Sequence, residues 1–337
     1  MTLELEQSFT LYYRRTPLIT ITGGISAARV HATLLDNSTL RRRCVRLITA
    51  AFSFLPNGLP DFISATPVCP ARLAEVMYAI RQAAIEDRVE IGSVCVMWPY
   101  GWRSSRTYIT ALNQNYKPAY FSKVSTSASD YDRFKHESEM LRRMDRMTLF
   151  GWCYPTSRGV QEDSGRTSIV MSALPGRRQS YCWKHIGALL PLRKSASATH
   201  IGLRPISPDS LPWMQEASSI SNPRFSALMA EASNRPIMCG LAHGDIRGNN
   251  VTRVGRRYWL LDWETASFNA PMLTDTVSYL VNDRTLRRRV GRRIARRTST
   301  LKLAEFLGYD RTDVGLALLY LAYQGNADAR HMIESWD

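Results

Sequence analysis

Residues 243–250 are HGDIRGNN and residues 257–264 are RYWLLDWE, and the polar residues of these two stretches form the strongest pattern in the sequence. The apolar residues 239–242 lead into a polar loop that holds His243, Asp245 and Asn250. The residues that follow predict a β-hairpin with arms at 251–253 and 257–261 and a turn at 254–256. The alternative is an ordinary polar turn before an exposed hairpin.

Folding this hairpin about its turn brings Asn250 opposite residues 261–262. An amide oxygen and the Asp262 carboxylate then meet at the open end of the hairpin, beside the loop that carries Asp245. Mg²⁺ prefers oxygen ligands and completes its coordination with phosphate and water. The geometry therefore predicts that Asn250 and Asp262 bind Mg²⁺, while Asp245 remains to orient or deprotonate an attacking hydroxyl.

This pattern resembles the HxDxxxxN catalytic loop and the following metal-binding Asp of kinase-like folds. HGD and DWE are similar to the forms found in the aminoglycoside phosphotransferase and choline kinase family. Pro271 and Asp275, in NAPMLTDTVSYL, fit the continuation of the family pattern. The resemblance covers about residues 91–285.

The resemblance implies an α+β, bilobal protein-kinase-like fold with a small antiparallel β-sheet in the N-lobe and a mainly helical C-lobe. It implies a kinase that uses ATP or GTP with Mg²⁺ and an alcohol group as acceptor. Asp245 would be the catalytic base or hydroxyl-positioning residue, and His243 a structural support of the catalytic loop. Asn250 and Asp262 would hold the metal.

A kinase also requires a strand Lys for the nucleotide phosphates and a helix Glu that pairs with it. Lys123 lies in the apolar run AYFSKVS, where a charge without a partner is costly. Glu137 lies on the next predicted helix and shares a face with Phe134 and Leu141, whereas Glu139 points elsewhere. We therefore predict that Glu137 pairs with Lys123; the alternative is a Lys at a strand edge and a solvated Glu.

Two further parts of the nucleotide site are assigned by resemblance. The stretch TSIVMSALPG resembles the strand and hinge of the adenine pocket, so Ser172 and Leu174 would mark the backbone that contacts the base. Residues 99–105, PYGWRSS, would cover the phosphates, with Ser104 and Ser105 as hydrogen-bond donors. This loop holds one glycine and departs from the glycine-rich loop of protein kinases.

The chain pattern predicts three parts. Residues 1–90 form an N-terminal extension of unknown role that ends in a helix at PARLAEVMYAIRQAAIE. The alternatives for this extension are an enlargement of the N-lobe, a separate small domain and an interaction arm. Residues 91–176 form the N-lobe, with three short strands, a helix capped by Ser129 or Asp130, and one more strand. Residues 177–337 form the C-lobe, mainly helical apart from the hairpin.

Composition limits the environment of the protein. No apolar run reaches the ~18–20 residues of a membrane span, and the N-terminus lacks a signal-peptide pattern, so a cytoplasmic location is expected. The six cysteines are scattered, which makes a disulfide framework or metal cluster an unfavourable interpretation.

The net charge of +15 favours acidic partners. Since cationic acceptors such as choline suit acidic pockets, this charge favours a saccharide or glycan as acceptor. The arginine run RTLRRRVGRRIARR, residues 284–297, suggests peripheral contact with the anionic inner face of a membrane, unless it is simply a solvated basic helix face.

Three competing functions remain open on the sequence. A protein kinase is disfavoured because only twelve residues separate Asp262 from Asp275, too few for a long activation loop. A catalytically inactive kinase-fold scaffold is favoured by the loop with one glycine and disfavoured by the intact motif residues. Specific nucleic-acid binding rests on basic charge alone, since no recognition motif is present.

Overall fold

A computed structural model describes residues 9–13, 16–34, 63–67, 70–98, 106–146, 152–176, 203–246, 250–282 and 310–336. The chain divides into two compact units. The N-terminal unit comprises residues 1–145, 154–180 and 252–257, and the C-terminal unit comprises residues 146–153, 181–251 and 258–337. Residues 99–105 and the arginine run 284–297 lie outside the described residues.

The N-terminal unit is built on one antiparallel sheet of eight strands in the order β3-β1-β2-β4-β5-β6-β9-β8. Three helices accompany the sheet. The strands are β1 Phe9–Tyr13, β2 Thr16–Ile21, β3 Ile63–Pro67, β4 Ile91–Met97, β5 Arg106–Asn113, β6 Pro118–Ser125, β8 Ser157–Asp163 and β9 Arg166–Ser172, and the helices are α1 Gly24–Leu34, α2 Pro70–Glu86 and α3 Ser129–Met144.

Helix α2 covers one face of this sheet. Its apolar residues recur with helical spacing, and Leu73, Met77 and Ile80 are buried against alternate residues of the central strands. The strand residues in this core are Val94, Val96, Ile109, Ala111, Tyr120, Val124 and Val170. Ion pairs at the rim, such as Arg166 with Glu75 at 2.7 Å, fasten the helix to the strands.

The opposite face carries the polar chemistry of the unit. Register pairs Tyr108 with Lys123 and Lys123 with Ile169, so these side chains share that face. Helix α1 reaches the same face at β4, where His31 and Ser93 make a buried hydrogen bond of 2.9 Å between Nε2 and Oγ. Helix α3 packs against β8 and β9.

The sheet continues across residue 90, the boundary predicted between extension and N-lobe. Strand β2 pairs with β4 from Ile19↔Met97 to Ile21↔Cys95, and Trp98 Nε1–H donates to Thr20 Oγ1 at 2.8 Å. The described strands of the first 90 residues thus extend the sheet at the β4 edge. This pairing assigns no function to residues 1–90, and the three domain bounds stay predictions.

The C-terminal unit combines helices with two small sheets, in the orders β10-β11-β14 and β12-β13-β7. Residues 252–257, which hold most of β12 and the first residue of β13, are counted with the N-terminal unit. Strands β10 and β14 are additions to the predicted hairpin. The strands are β7 Trp152–Cys153, β10 Arg204–Ile206, β11 Ile237–Ala242, β12 Val251–Val254, β13 Arg257–Leu260 and β14 Ser267–Pro271, and the helices are α4 Pro223–Ala232, α5 Thr274–Asn282, α6 Arg311–Tyr323 and α7 Ala327–Glu334.

Helix α6 is the centre of the C-terminal unit. It is apolar on nearly all sides, and its residues from Val314 to Leu321 are buried. It contacts α4, α5, α7 and β14. Together the two units confirm the predicted α+β class, with an antiparallel N-terminal sheet and a C-terminal part that contains helices.

No helix within the described ranges is long and apolar enough to cross a membrane. The three described cysteines, Cys95, Cys153 and Cys239, are free thiols. Burial raises the pKa of Cys95 and of Cys239 to about 12, which keeps both thiols protonated.

Candidate active site

Helix α5 holds the loop after β11 through hydrogen bonds to the loop backbone. The backbone N–H groups of His243 and Gly244 each donate to the Asp275 carboxylate, at 3.0 Å in both cases. Ile246 N–H donates to Ser278 Oγ at 3.1 Å. Burial raises the pKa of the Asp275 carboxyl above its usual range, and the His243 ring and the two N–H groups act in the opposite direction.

His243 is fully buried at the centre of the loop. Its Nε2–H donates to the Leu261 carbonyl at 2.9 Å, and its Nδ1 accepts from the Asp245 N–H at 3.3 Å. Its ring also packs on Trp263, with centroids 4.7 Å apart. The imidazole therefore ties the Asp245 loop to the residues that precede Asp262, which is the supporting position predicted for it.

Gly244 is required by the local backbone. Its φ is +80°, and a Cβ atom there would lie 2.7 Å from the Thr265 carbonyl oxygen. Thr265 Oγ1 in turn donates to the His243 carbonyl at 3.0 Å. The segment after Asp262 thus packs directly on the loop, and a side chain at position 244 would separate them.

Asn250 and Asp245 are brought together. The Asn250 side-chain Nδ2–H group donates to the Asp245 carbonyl at 2.9 Å and to Asp245 Oδ2 at 3.0 Å. Both of these bonds use Nδ2, and the amide oxygen Oδ1 is the atom of this side chain that has the chemistry of a Mg²⁺ ligand. Residues 247–249 lie outside the described part of the chain.

The hairpin places Asp262 next to Asn250 along the paired strands. Leu261 N–H donates to the Asn250 carbonyl at 2.9 Å, as the predicted hairpin requires. Asp262 has φ 71°, in the left-handed region. The other described non-glycine residues with positive φ, Arg88, Tyr116 and Ser164, lie at turns or bends, whereas Asp262 lies at neither. Such backbone strain concentrates at functional sites.

The oxygen donors here suit a hard divalent cation. Asn250 supplies an amide oxygen and Asp262 a carboxylate, both preferred by Mg²⁺ and neither suited to softer metals. Among described residues, no cluster of three or more His, Cys, Asp or Glu side chains offers a competing metal site. The donor set therefore fits the predicted metal.

The N-terminal unit contains the predicted lysine–glutamate pair. Lys123 Nζ lies 2.7 Å from Glu137 Oε2, and the two side chains are 5% and 0% exposed. Lys123 projects from β6 and Glu137 from the sheet-facing side of α3, as the helical spacing predicts. The interpretation of a strand-edge Lys with a solvated Glu is excluded by this burial.

The predicted hinge residues 172–174 lie at the end of strand β9. Ser172 N–H donates to the Thr156 carbonyl and Ala173 N–H to the Ala119 carbonyl, so the sheet uses both donors. Of the predicted hinge N–H groups, Leu174 N–H is the one without a partner in the described residues. Ser104 and Ser105 lie outside these residues, and their assignment stays a prediction.

Several supporting residues were not given roles by the sequence. Asp275 was noted by its spacing, but its two hydrogen bonds to the loop were not predicted. Trp263 was quoted within the DWE motif but given no role, and Thr265 and Ser278 were not identified, because a single hydroxyl carries no distinguishing pattern. Helix α3 also starts differently from the prediction: its N-cap is Ala128, without a side-chain cap, and Asp130 instead binds Arg106.

No protein-family model and no curated protein matches this sequence. Among solved structures, aminoglycoside phosphotransferase APH(4)-Ia is 14% identical and aligns over 77% of this chain and 95% of its own, with a TM-score of 0.43. Spectinomycin phosphotransferase APH(9)-Ia, in complex with ADP and spectinomycin, is 14% identical over 81% and 96%, with a TM-score of 0.43. The GDP and kanamycin complex of an APH(2″) enzyme is 12% identical over 74% and 90%, with a TM-score of 0.42. The chain is thus similar, at low sequence identity, to several aminoglycoside phosphotransferases.

Proposed function

We propose that this protein is a phosphotransferase that moves the γ-phosphoryl group of ATP or GTP to a hydroxyl of a non-protein acceptor. The observation that carries the proposal is the loop in which His243 ties Asp245 to the segment of Asp262 while Asn250 donates to Asp245. A buried histidine that bonds to two segments, each with a carboxylate, fixes the positions of these segments relative to each other. Phosphoryl transfer depends mainly on positioning and electrostatics.

Asp245 is assigned to the acceptor. Its carboxylate orients the attacking hydroxyl and takes its proton, while the Asn250 amide fixes the carboxylate through Oδ2. The loop backbone is in turn fixed by Asp275, which accepts from two successive N–H groups. The His243 side chain holds the geometry and takes no proton in this scheme.

Asn250 and Asp262 are assigned to Mg²⁺. Bound there, the ion would neutralise charge on the phosphate oxygens of the nucleotide. The residues contribute an amide oxygen, a carboxylate and a backbone conformation at Asp262 that is maintained by the packing of Trp263 and His243.

Lys123 is assigned to the non-transferred phosphates. An ammonium group has three donors, so the bond to Glu137 and a bond to phosphate can come from the same nitrogen. Burying an ion pair costs desolvation energy and is weak evidence for a gain in stability. A ligand that needs a fixed positive charge explains why this ion pair is buried between strand β6 and helix α3. The base would bind at residues 172–174, with Leu174 N–H as donor, and Ser104 and Ser105 at the phosphates.

The proposed acceptor is a saccharide or glycan. The net charge of +15 suits a neutral or phosphorylated sugar better than a cationic substrate. The proposal also includes a cytoplasmic location and contact between residues 284–297 and anionic lipid. Neither protein kinase nor inactive scaffold is preferred, because the site residues are intact and few residues separate Asp262 from helix α5.

The test is phosphoryl transfer to a panel of hydroxyl compounds, followed by phosphorus NMR. The panel holds neutral and phosphorylated sugars, kanamycin and choline, each with MgATP and MgGTP. We expect a sugar phosphoester, and a rate roughly 10²–10⁴-fold lower in Asp245→Ala with nucleotide binding retained. Asp209→Ala, at an exposed aspartate of the same unit, is the matched control.

Two outcomes would contradict the proposal. Transfer at the wild-type rate by a folded Asp245→Ala protein would remove the assigned role of Asp245. Binding of MgATP by wild type without transfer to any acceptor would favour the inactive scaffold. Transfer to kanamycin or choline alone would keep the reaction and replace the acceptor class.

A further inference from the structure

Helix α3 carries a second ion pair, largely shielded from solvent, besides the buried Lys123–Glu137 pair. Arg106 Nη2 lies 2.6 Å from Asp130 Oδ1, and the two side chains are 13% and 6% exposed. Asp130 and Glu137 are seven residues apart, close to two full turns, so they lie on the same face of the helix. That face therefore presents two carboxylates to the sheet.

The cationic partners of these carboxylates come from two neighbouring strands. Arg106 begins β5 and Lys123 lies on β6, and the register pairs Arg106 with Ser125 and Tyr108 with Lys123. The two cations are thus held two residue pairs apart on one antiparallel ladder. A shift or rotation of α3 that breaks one ion pair would strain the other.

Arg106 contacts more than one turn of the helix. Its guanidinium also lies over the ring of Phe134, 5.3 Å from the centroid, and Phe134 is fully buried. Burial alone would raise the pKa of Asp130, but the hydrogen bonds from Arg106 and Ser125 and the charge of Arg106 hold it below its usual value. The carboxylate stays ionised and the guanidinium stays in place.

We propose that Arg106 and Asp130 are positioning residues: they set the rotation and height of helix α3 so that Glu137 holds Lys123 ready for the nucleotide phosphates. This inference rests on the proposed function, because it assigns the two residues a part in the binding of the same nucleotide. Neither residue touches the nucleotide in this scheme. Both act through the Lys123–Glu137 pair.

The test measures the dissociation constants of MgATP and of adenosine for wild type, Arg106→Gln and Asp130→Asn. We expect MgATP to bind about tenfold more weakly to both variants, since coupling energies between contacting residues reach this range. Adenosine, which lacks phosphates, should bind with unchanged affinity. Arg166→Gln breaks the more exposed ion pair of Arg166 with Glu75 in the same unit, 2.7 Å long with side chains 28% and 49% exposed, and should leave both affinities unchanged.

A double-mutant cycle separates positioning from general damage. In a Lys123→Ala background, Asp130→Asn should weaken MgATP by less than about twofold, because the group that it positions is gone. If Asp130→Asn does not fold, Asp130→Glu, which keeps the charge and displaces the carboxylate, takes its place. Folding is monitored by thermal unfolding of every variant.

Three results would overturn the inference. Unchanged MgATP binding in both folded variants would overturn this inference and leave the proposed function in place. An equal loss in the wild-type and Lys123→Ala backgrounds, or an equal loss for adenosine, would show general damage rather than positioning. Failure of folded wild-type protein to bind MgATP or MgGTP would overturn the proposed function, and this inference with it.

Discussion

The identity and spacing of residues alone predicted which side chains form the candidate site. The contacts between these side chains could not be predicted in this way. His243, Asp245, Asn250 and Asp262 were chosen because their spacing matches a catalytic loop and its metal ligand. Their contacts, in particular the His243 bridge to Leu261, required the structure. The supporting Ser278 could not be predicted, since a hydroxyl 32 residues away in sequence becomes a partner only through tertiary packing.

Glycine 244 provides a test at the scale of one residue. We expect Gly244→Ala to lower the free energy of unfolding by about 1–2 kcal/mol for the left-handed φ, plus about 1–3 kcal/mol for the contact with the Thr265 carbonyl. Gly255→Ala is the matched control, because Gly255 has φ +60° and open space around its Cβ position. Only the first cost should apply there. Denaturant unfolding measures both, and equal losses would contradict the tight packing at Gly244.

Secondary-structure elements were predicted best where periodicity is strong. Helix α2 matches the predicted segment, and strands β4, β5, β6 and β9 lie where alternating apolar residues indicated them. Strands β10 and β14 were missed because each is short and one of them begins with exposed residues. The predicted N-cap of α3, Ser129 or Asp130, was wrong, since the helix has Ala128 at this position. Asp130 bonds to Arg106 and makes no local capping bond of the kind that the sequence favours.

Helix α2 tests whether the first 90 residues belong to the N-terminal unit. Met77 is fully buried against the sheet, whereas its neighbour Tyr78 is 41% exposed. We expect Met77→Ala to lower the free energy of unfolding by about 2–5 kcal/mol and to weaken MgATP binding at a given temperature near the transition. Tyr78→Ala should change stability by about 0.5 kcal/mol or less. Similar small effects of both substitutions would mean that the extension does not support the sheet.

At the scale of the whole molecule, the order of motifs predicted the α+β class: strands with Lys123, a helix with Glu137, then the loop and hairpin. The pairing of strand β2 with β4 in one sheet was only one of several alternatives for residues 1–90, because strands so far apart in sequence leave no local pattern of their pairing. The acceptor was not predicted for a similar reason. Its contacts depend on surfaces that no motif marks.

Thermal unfolding with and without MgATP shows whether this protein binds a magnesium nucleotide through Asp262. A ligand at 100 times its dissociation constant adds about 2.7 kcal/mol to the stability of the state that binds it. We predict a rise in Tm with MgATP or MgGTP that requires Mg²⁺ and disappears in Asp262→Ala. A folded wild-type protein whose Tm does not rise with either nucleotide, or an equal rise in Asp262→Ala, would contradict the account.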